Sequence, residues 1–181
     1  IGLYYVISSD MGSALVYVCI FACMAFAAGV ALRWFALGIF GAGAGFYLLW
    51  ELDKIPPYMK ERFQVLVDHS LYPLGAGWQQ TRSLMAIGGG RLTGQGLLHG
   101  AQTQSTSSVN LPFRHTDFIF CVCGEELGMI GCLVVIALLA AIIIRVLLVA
   151  RRAETPFHCY VCVGVAAMLI FQTVVNIGMC L

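Results

Sequence analysis

An arginine, a histidine, a threonine and an aspartate stand together at Arg114-His115-Thr116-Asp117, at the mouth of an almost wholly apolar run. With Glu125 and Glu126, three carboxylates fall within the ten residues from Asp117 to Glu126. On a continuous helix Asp117 and Glu125 share a face, with Cys121 between them. They would then lie roughly 12 Å apart along the axis. A carboxylate in or beside a membrane helix costs roughly 2.5–3.5 kcal/mol on insertion scales. A chain that keeps three of them so close is expected to use at least one. The alternative is a helix N-terminus capped by Thr116 and Asp117, where the dipole favours an acid.

The elements that must position these groups are set by composition. The chain has 181 residues, 60% hydrophobic and 10% charged, with a mean hydropathy of +0.89. Soluble domains carry about 25% charged residues. The sequence therefore predicts an all-α polytopic membrane protein, a bundle of transmembrane helices. Its net charge of +1 points to no particular partner and gives no reason to expect nucleic acid. Both ends, Ile1 to Ile7 and Val174 to Leu181, are apolar, so the chain reads as part of a longer protein.

Membrane helices are expected over residues 11–32, 35–52, 117–150 and 157–181, with the end of another at about 1–8. Asp10 could cap the first. Gly38, Gly41, Gly43 and Gly45 give the second a small-residue spacing suited to close packing. A Gly128–Gly131 break is expected inside the third, and Pro156 starts the last.

Between the second and third lies a long polar loop, residues 53–116. A structureless loop of that length is unlikely in a compact protein. Short helices are expected within it, over Tyr58 to Val67 and Gly77 to Ile87, with a tight glycine loop from Gly88 to Gly96. That loop lacks the lysine of a P-loop and does not fit G-x-G-x-x-G, so nucleotide binding is not supported. Cys159-x-x-Cys162 beside His158 has a metal or redox spacing. With no second pair nearby it reads as structural filler, like the other cysteines of the apolar runs. Charge leaves sidedness undecided. Arg33 and the Arg145, Arg151 and Arg152 group are expected on one side, which suits a cytoplasmic face. The loop on the other side carries Lys54, Lys60, Arg62, Arg82, Arg91 and Arg114 against Asp53, Glu61 and Asp68.

Several motifs, in order, resemble the SEDS family (shape, elongation, division and sporulation; RodA/FtsW/SpoVE-like membrane proteins). Asp10-Met11-Gly12-Ser13-Ala14-Leu15 resembles its D-L-G-T-A-L, and Pro73 to Gln79 its P-L-G-x-G-Y-Q. Ala86 to Gly96 resembles A-I-G-S-G-G-L-x-G-x-G, and Gly100 to Gln104 resembles G-T-Q-S-Q. Leu111-Pro112, His115 to Phe120 and Gly124 to Gly128 resemble L-P-E-x-H-T-D-F-I-F and G-E-E-L-G, and Asn176 to Met179 a later N-I-G-M. The chain departs from the pattern at Phe113 for a glutamate, Gly89 for a serine and Arg91 for a common glycine.

The resemblance implies a multi-pass protein of the bacterial cytoplasmic membrane. It implies a peptidoglycan glycosyltransferase that polymerises lipid II beside a class B penicillin-binding protein. It also places the long loop outside the cell. Such a reaction needs a base for a sugar hydroxyl and cations for the leaving pyrophosphate. Asp117 is the expected base, at the position of an aspartate regarded as catalytic in the family. Arg62, Arg82, Arg91 and Arg114 are candidate pyrophosphate partners, since guanidinium pairs with phosphate through two bonds; interfacial anchoring to membrane lipid is the alternative for each. His115, Gln102, Gln104 and Asp10 complete the candidate substrate site. A divalent cation, Mg or Mn, could share the phosphate role, though no ligand cluster marks one. Glu125 and Glu126 are expected to hydrogen-bond within the bundle. Intramembrane acids and a basic cavity fit a lipid-linked-sugar flippase too. A scaffold that only recruits the penicillin-binding protein is a third reading.

Overall fold

A computed structural model of the chain describes residues 11–52, 60, 76–104 and 116–180. Its elements are helices: α1 Met11–Ala27, α2 Leu32–Glu51, α3 Ala76–Gly90, α4 Ile119–Arg151 and α5 Pro156–Cys180. Among the described residues α2, α4 and α5 are long and apolar enough to cross a membrane. The short helix expected at Tyr58 to Val67 lies outside the described residues.

The chain forms two compact units, Ile1–Leu48 with Leu139–Val174 and Leu49–Leu138 with Val175–Leu181. In the first, α1 ends sooner than apolarity alone suggests. Gly29 takes a left-handed φ of 87°. The N–H of Val30 then returns to Ala25 C=O (3.1 Å) and that of Gly29 to Phe26 C=O (3.0 Å). This paired C-terminal closure favours glycine because a Cβ is strained at that φ. The expected boundary at Leu32 missed it, since residues 28–32 remain apolar. Phe26 and Phe35 then pack edge to face across the turn, 6.3 Å between centroids. Against α1, α5 presents Gly164, where an added Cβ would sit 3.1 Å from Met24 Sδ. The start of α5 combines a proline with a cap: Pro156 opens the helix, and Thr155 Oγ1 accepts the N–H of His158 at 3.4 Å.

The second unit holds α3, the loop after it, the first part of α4 and the end of α5. Its core is Ala86, Phe118, Cys121 and Cys180, with Ile87 and Phe120 against it. Ser83 Oγ donates to Cys180 C=O at 2.8 Å, fixing the end of α5 to α3. Asn176 Nδ2 donates to Thr116 C=O at 3.3 Å, fixing it to the turn before α4.

Candidate functional site

The site grows from one break in α4. Gly128 has φ 69° and ψ −168°, the one residue of that helix outside helical geometry. It lies inside both turns that would carry Met129 N–H to Glu125 C=O and Ile130 N–H to Glu126 C=O. Two carbonyls and two amides lose their helical partners. In a membrane protein such groups must be satisfied internally. The loop after α3 supplies all four partners. Gln95 N–H donates to Glu125 C=O (2.9 Å) and Gly96 N–H to Glu126 C=O (3.1 Å). Met129 N–H donates to Arg91 C=O (2.9 Å) and Ile130 N–H to Leu92 C=O (3.2 Å).

Close backbone contact makes this exchange possible. A Cβ on Gly94 would collide with the Glu126 carbonyl, and one on Gly128 with Gly94 N and Leu92 O. Both residues also have positive φ. The glycine loop predicted from Gly88 to Gly96 is thus a clasp on a broken helix, and α3 runs into it as far as Gly90. Arg91 takes a φ of 50°, a region that costs a side-chain-bearing residue about 1–2 kcal/mol. A glycine, common here in the resembled family, would meet no such cost.

The two glutamates complete the clasp with their side chains. Glu125 is fully buried, and Glu126 nearly so. Glu125 accepts the backbone N–H of Gln102 at Oε1 (2.7 Å) and of Thr103 at Oε2 (2.9 Å). Glu126 accepts Leu98 N–H at Oε2 (2.9 Å) and Gln104 Nε2 at Oε1 (2.7 Å). Gln95 adds an internal tie, its Oε1 accepting Ala101 N–H at 3.0 Å. Removing Glu125 would leave the buried Thr103 N–H unsatisfied, at about 1–3 kcal/mol; the donors to Glu126 are only part-buried and would cost less. Sequence reasoning expected these acids to hydrogen-bond within the bundle. It did not single out the loop as their partner, nor Gln95 or Trp78 as parts of the site.

Asp117 lies in the turn before α4 and is exposed. The helix starts at Ile119, with Phe118 C=O accepting Cys121 N–H (3.1 Å) and Val122 N–H (3.4 Å). Asp117 is therefore not on a continuous helical face with Glu125. Its backbone C=O accepts Cys180 Sγ at 3.8 Å. Its carboxylate makes no hydrogen bond or ion pair among the described residues, so it does not cap α4 there.

Of the other candidates, Arg82 and Gln102 are brought together: Arg82 Nη1 donates to Gln102 Oε1 at 3.0 Å. The guanidinium also lies over the Trp78 ring, 5.4 Å from its centroid. Gln104 is held by Glu126, and the Arg91 side chain is exposed. Asp10, Arg62, Arg114 and His115 lie outside the described residues.

For a divalent cation the described carboxylates of α4 and the turn before it are Asp117, Glu125 and Glu126. The glutamates spend their oxygens on loop N–H groups, and among the described residues no three His, Cys, Asp or Glu side chains gather. This donor set does not fit a resident metal. Cys159 and Cys162 are free thiols. They line two separate shallow grooves at the α4–α5 turn, each of about 430 Å³. None of the described candidate site residues lines either groove.

Apolar spans with a polar, clasped loop define a multi-pass membrane protein, and the comparisons narrow the class. Residues 1–181 match the family model of the FtsW/RodA/SpoVE cell cycle proteins, and the chain belongs to that family. It is 37% identical over 170 residues to the peptidoglycan glycosyltransferase MrdB of Escherichia coli (strain K12), covering 94% of this chain and 45% of that protein. It is 35% identical over 184 residues to the probable peptidoglycan glycosyltransferase FtsW of Haemophilus influenzae, covering 100% and 45%. A probable peptidoglycan glycosyltransferase FtsW of Tolumonas auensis is 36% identical over 173 residues, covering 93% and 43%. The chain spans less than half the length of these relatives.

Proposed function

We propose that the chain carries part of a peptidoglycan glycosyltransferase that polymerises lipid II at the outer face of the bacterial cytoplasmic membrane. A class B penicillin-binding protein is its proposed partner. Membership of the family and the names of the relatives support the reading. The structural observation that carries it is the Asp117 carboxylate, exposed and without a partner among the described residues. A carboxylate already committed to a cap or an ion pair would be a poor proton acceptor; among the described residues this one is open.

In this mechanism Asp117 takes the proton of an acceptor sugar hydroxyl as its oxygen attacks the anomeric carbon of the donor. A new C–O bond forms there while the bond to the lipid pyrophosphate breaks, and the pyrophosphate leaves with the electron pair. A single displacement inverts the anomeric centre, turning an α-linked donor into a β-linked glycan. Arginines of the loop stabilise the leaving charge. Arg82 is the best placed of those described, because its plane is fixed by Gln102 and Trp78.

The test is glycan formation from purified lipid II by the full-length protein, alone and with its penicillin-binding partner. Polymer is the expected outcome. Translocation of lipid II across vesicles without polymer would replace this reading with the flippase. Neither activity, with the partner still bound, would leave a scaffold.

A further inference from the structure

Among the described residues the Arg82 guanidinium is oriented without being neutralised. It is half-buried on α3. Its two contacts, the Gln102 amide oxygen at 3.0 Å and the Trp78 ring at 5.4 Å, are both uncharged. Among the described residues it forms no ion pair. Guanidinium has five N–H donors in a rigid fork. One bond and one ring face fix the plane and leave donors for a second partner. A glutamate at position 102 would hold the same fork through a stronger, charge-assisted bond, but it would cancel the charge. The clasp does contain acids, and they are directed elsewhere. Glu125 binds the backbone N–H groups of Gln102 and Thr103, and Glu126 those of Leu98 and the Gln104 side chain. The acids hold the loop; among the described residues the one polar side chain that reaches the arginine is a neutral amide.

We infer that Gln102 is a positioning residue that aims Arg82, its charge intact, at a pyrophosphate-bearing ligand, and that Glu125 fixes Gln102 for this task. The inference deepens the polymerase reading and rests on it for the ligand, a lipid-linked sugar pyrophosphate.

The experiment uses the full-length protein in lipid-bilayer discs. Binding of purified lipid II, kcat/KM for polymerisation and amide hydrogen exchange over residues 98–104 are measured together. Gln102→Glu keeps the contact to Arg82 and neutralises it. Protection of the loop amides should stay as in the wild type, while lipid II binding and kcat/KM fall about 10- to 100-fold, the worth of one charge-assisted bond. A contact that serves the fold alone makes the opposite forecast, with binding unchanged or improved.

Glu125→Gln turns an amide donor toward one of the two N–H groups. Exchange at Gln102 and Thr103 should accelerate and lipid II binding weaken. Adding Arg82→Ala to Glu125→Gln should cost little further binding, because residues acting in one chain are not additive. Wild-type lipid II binding by Gln102→Glu overturns the inference. So does a Glu125→Gln protein with freely exchanging amides and unchanged binding. If Glu125→Gln does not fold, Gln102→Glu decides alone. A wild-type protein that binds lipid II in a Gln102-dependent way but makes no polymer sinks the polymerase reading and keeps the role of Arg82. Polymer that forms equally well with Gln102→Glu does the reverse.

Discussion

Replacing Asp117 by asparagine keeps its size and hydrogen-bonding reach but removes the charge and the basic lone pair. If Asp117 is the general base, polymerisation by the full-length protein should fall roughly 10²–10⁴-fold. Folding and partner binding should survive, because the carboxylate makes no hydrogen bond among the described residues whose loss would matter. Asp117→Glu keeps the charge and moves it by one methylene; misplacement near 1 Å can cost about 10²-fold. An Asp117→Asn protein that folds, binds its partner and makes glycan at the wild-type rate would remove Asp117 from the mechanism. The cysteines make a contrasting case. Cys159 and Cys162 line different grooves, and the His158 Nδ1 beside them pairs with Thr155 Oγ1 at 2.6 Å. Changing both cysteines to serine should leave polymerisation within a few-fold. A loss above about 100-fold, the scale of a catalytic group, would reveal a thiol chemistry at the α4–α5 turn.

The clasp is the element on which the described part of the site depends. Gly128→Ala should destabilise it strongly. Its φ and ψ lie in a region nearly reserved for glycine, which alone costs about 1–3 kcal/mol, and the new Cβ would meet Gly94 N and Leu92 O. Gly88→Ala is the control. A Cβ there meets nothing within 4 Å, and alanine gains about 1 kcal/mol over glycine inside a helix. Thermal unfolding in detergent should therefore drop for the first variant and hold or rise for the second. Equal melting of both would mean the break in α4 is not what holds the loop. Much of this element was legible from residue types. Glycine density marked both the loop and the break, and the paired acids stood out against an apolar run. Their pairing was not legible. It joins residues 91–104 to residues 124–130, and a local pattern carries no information about which orphan carbonyl meets which amide. The same holds for Arg82 and Gln102, each visible as polar, neither visibly the partner of the other. The early end of α1 was missed for a local reason: one glycine's left-handed φ outweighed a continuous apolar run.

At the scale of the whole molecule the open question is which side of the membrane the clasp faces. On the proposed topology, Arg33 at the start of α2 and Arg145, Arg151 and Arg152 in the last turns of α4 fall on one side and the loop between the two helices on the other. Basic residues near helix ends favour the cytoplasm; the proposed function needs Asp117 and the loop on the opposite side, outside, where lipid II polymerisation would occur. The loop's own bases pull the other way, but the rule weakens for loops beyond about 60 residues. The arginines at the α4–α5 turn sit in a short connection, where the rule holds best, but the loop's own bases oppose them, so labelling rather than charge decides the side. In a cysteine-less background of the full-length protein, Ser107→Cys should react with a membrane-impermeant thiol reagent in intact cells stripped of their outer layers. Ala153→Cys, beside Arg151 and Arg152, should react only after the membrane is opened. The reverse pattern would place Asp117 on the cytoplasmic side. No polymerase acting outside the cell could then use it as a base, and the proposed mechanism would fall with the topology.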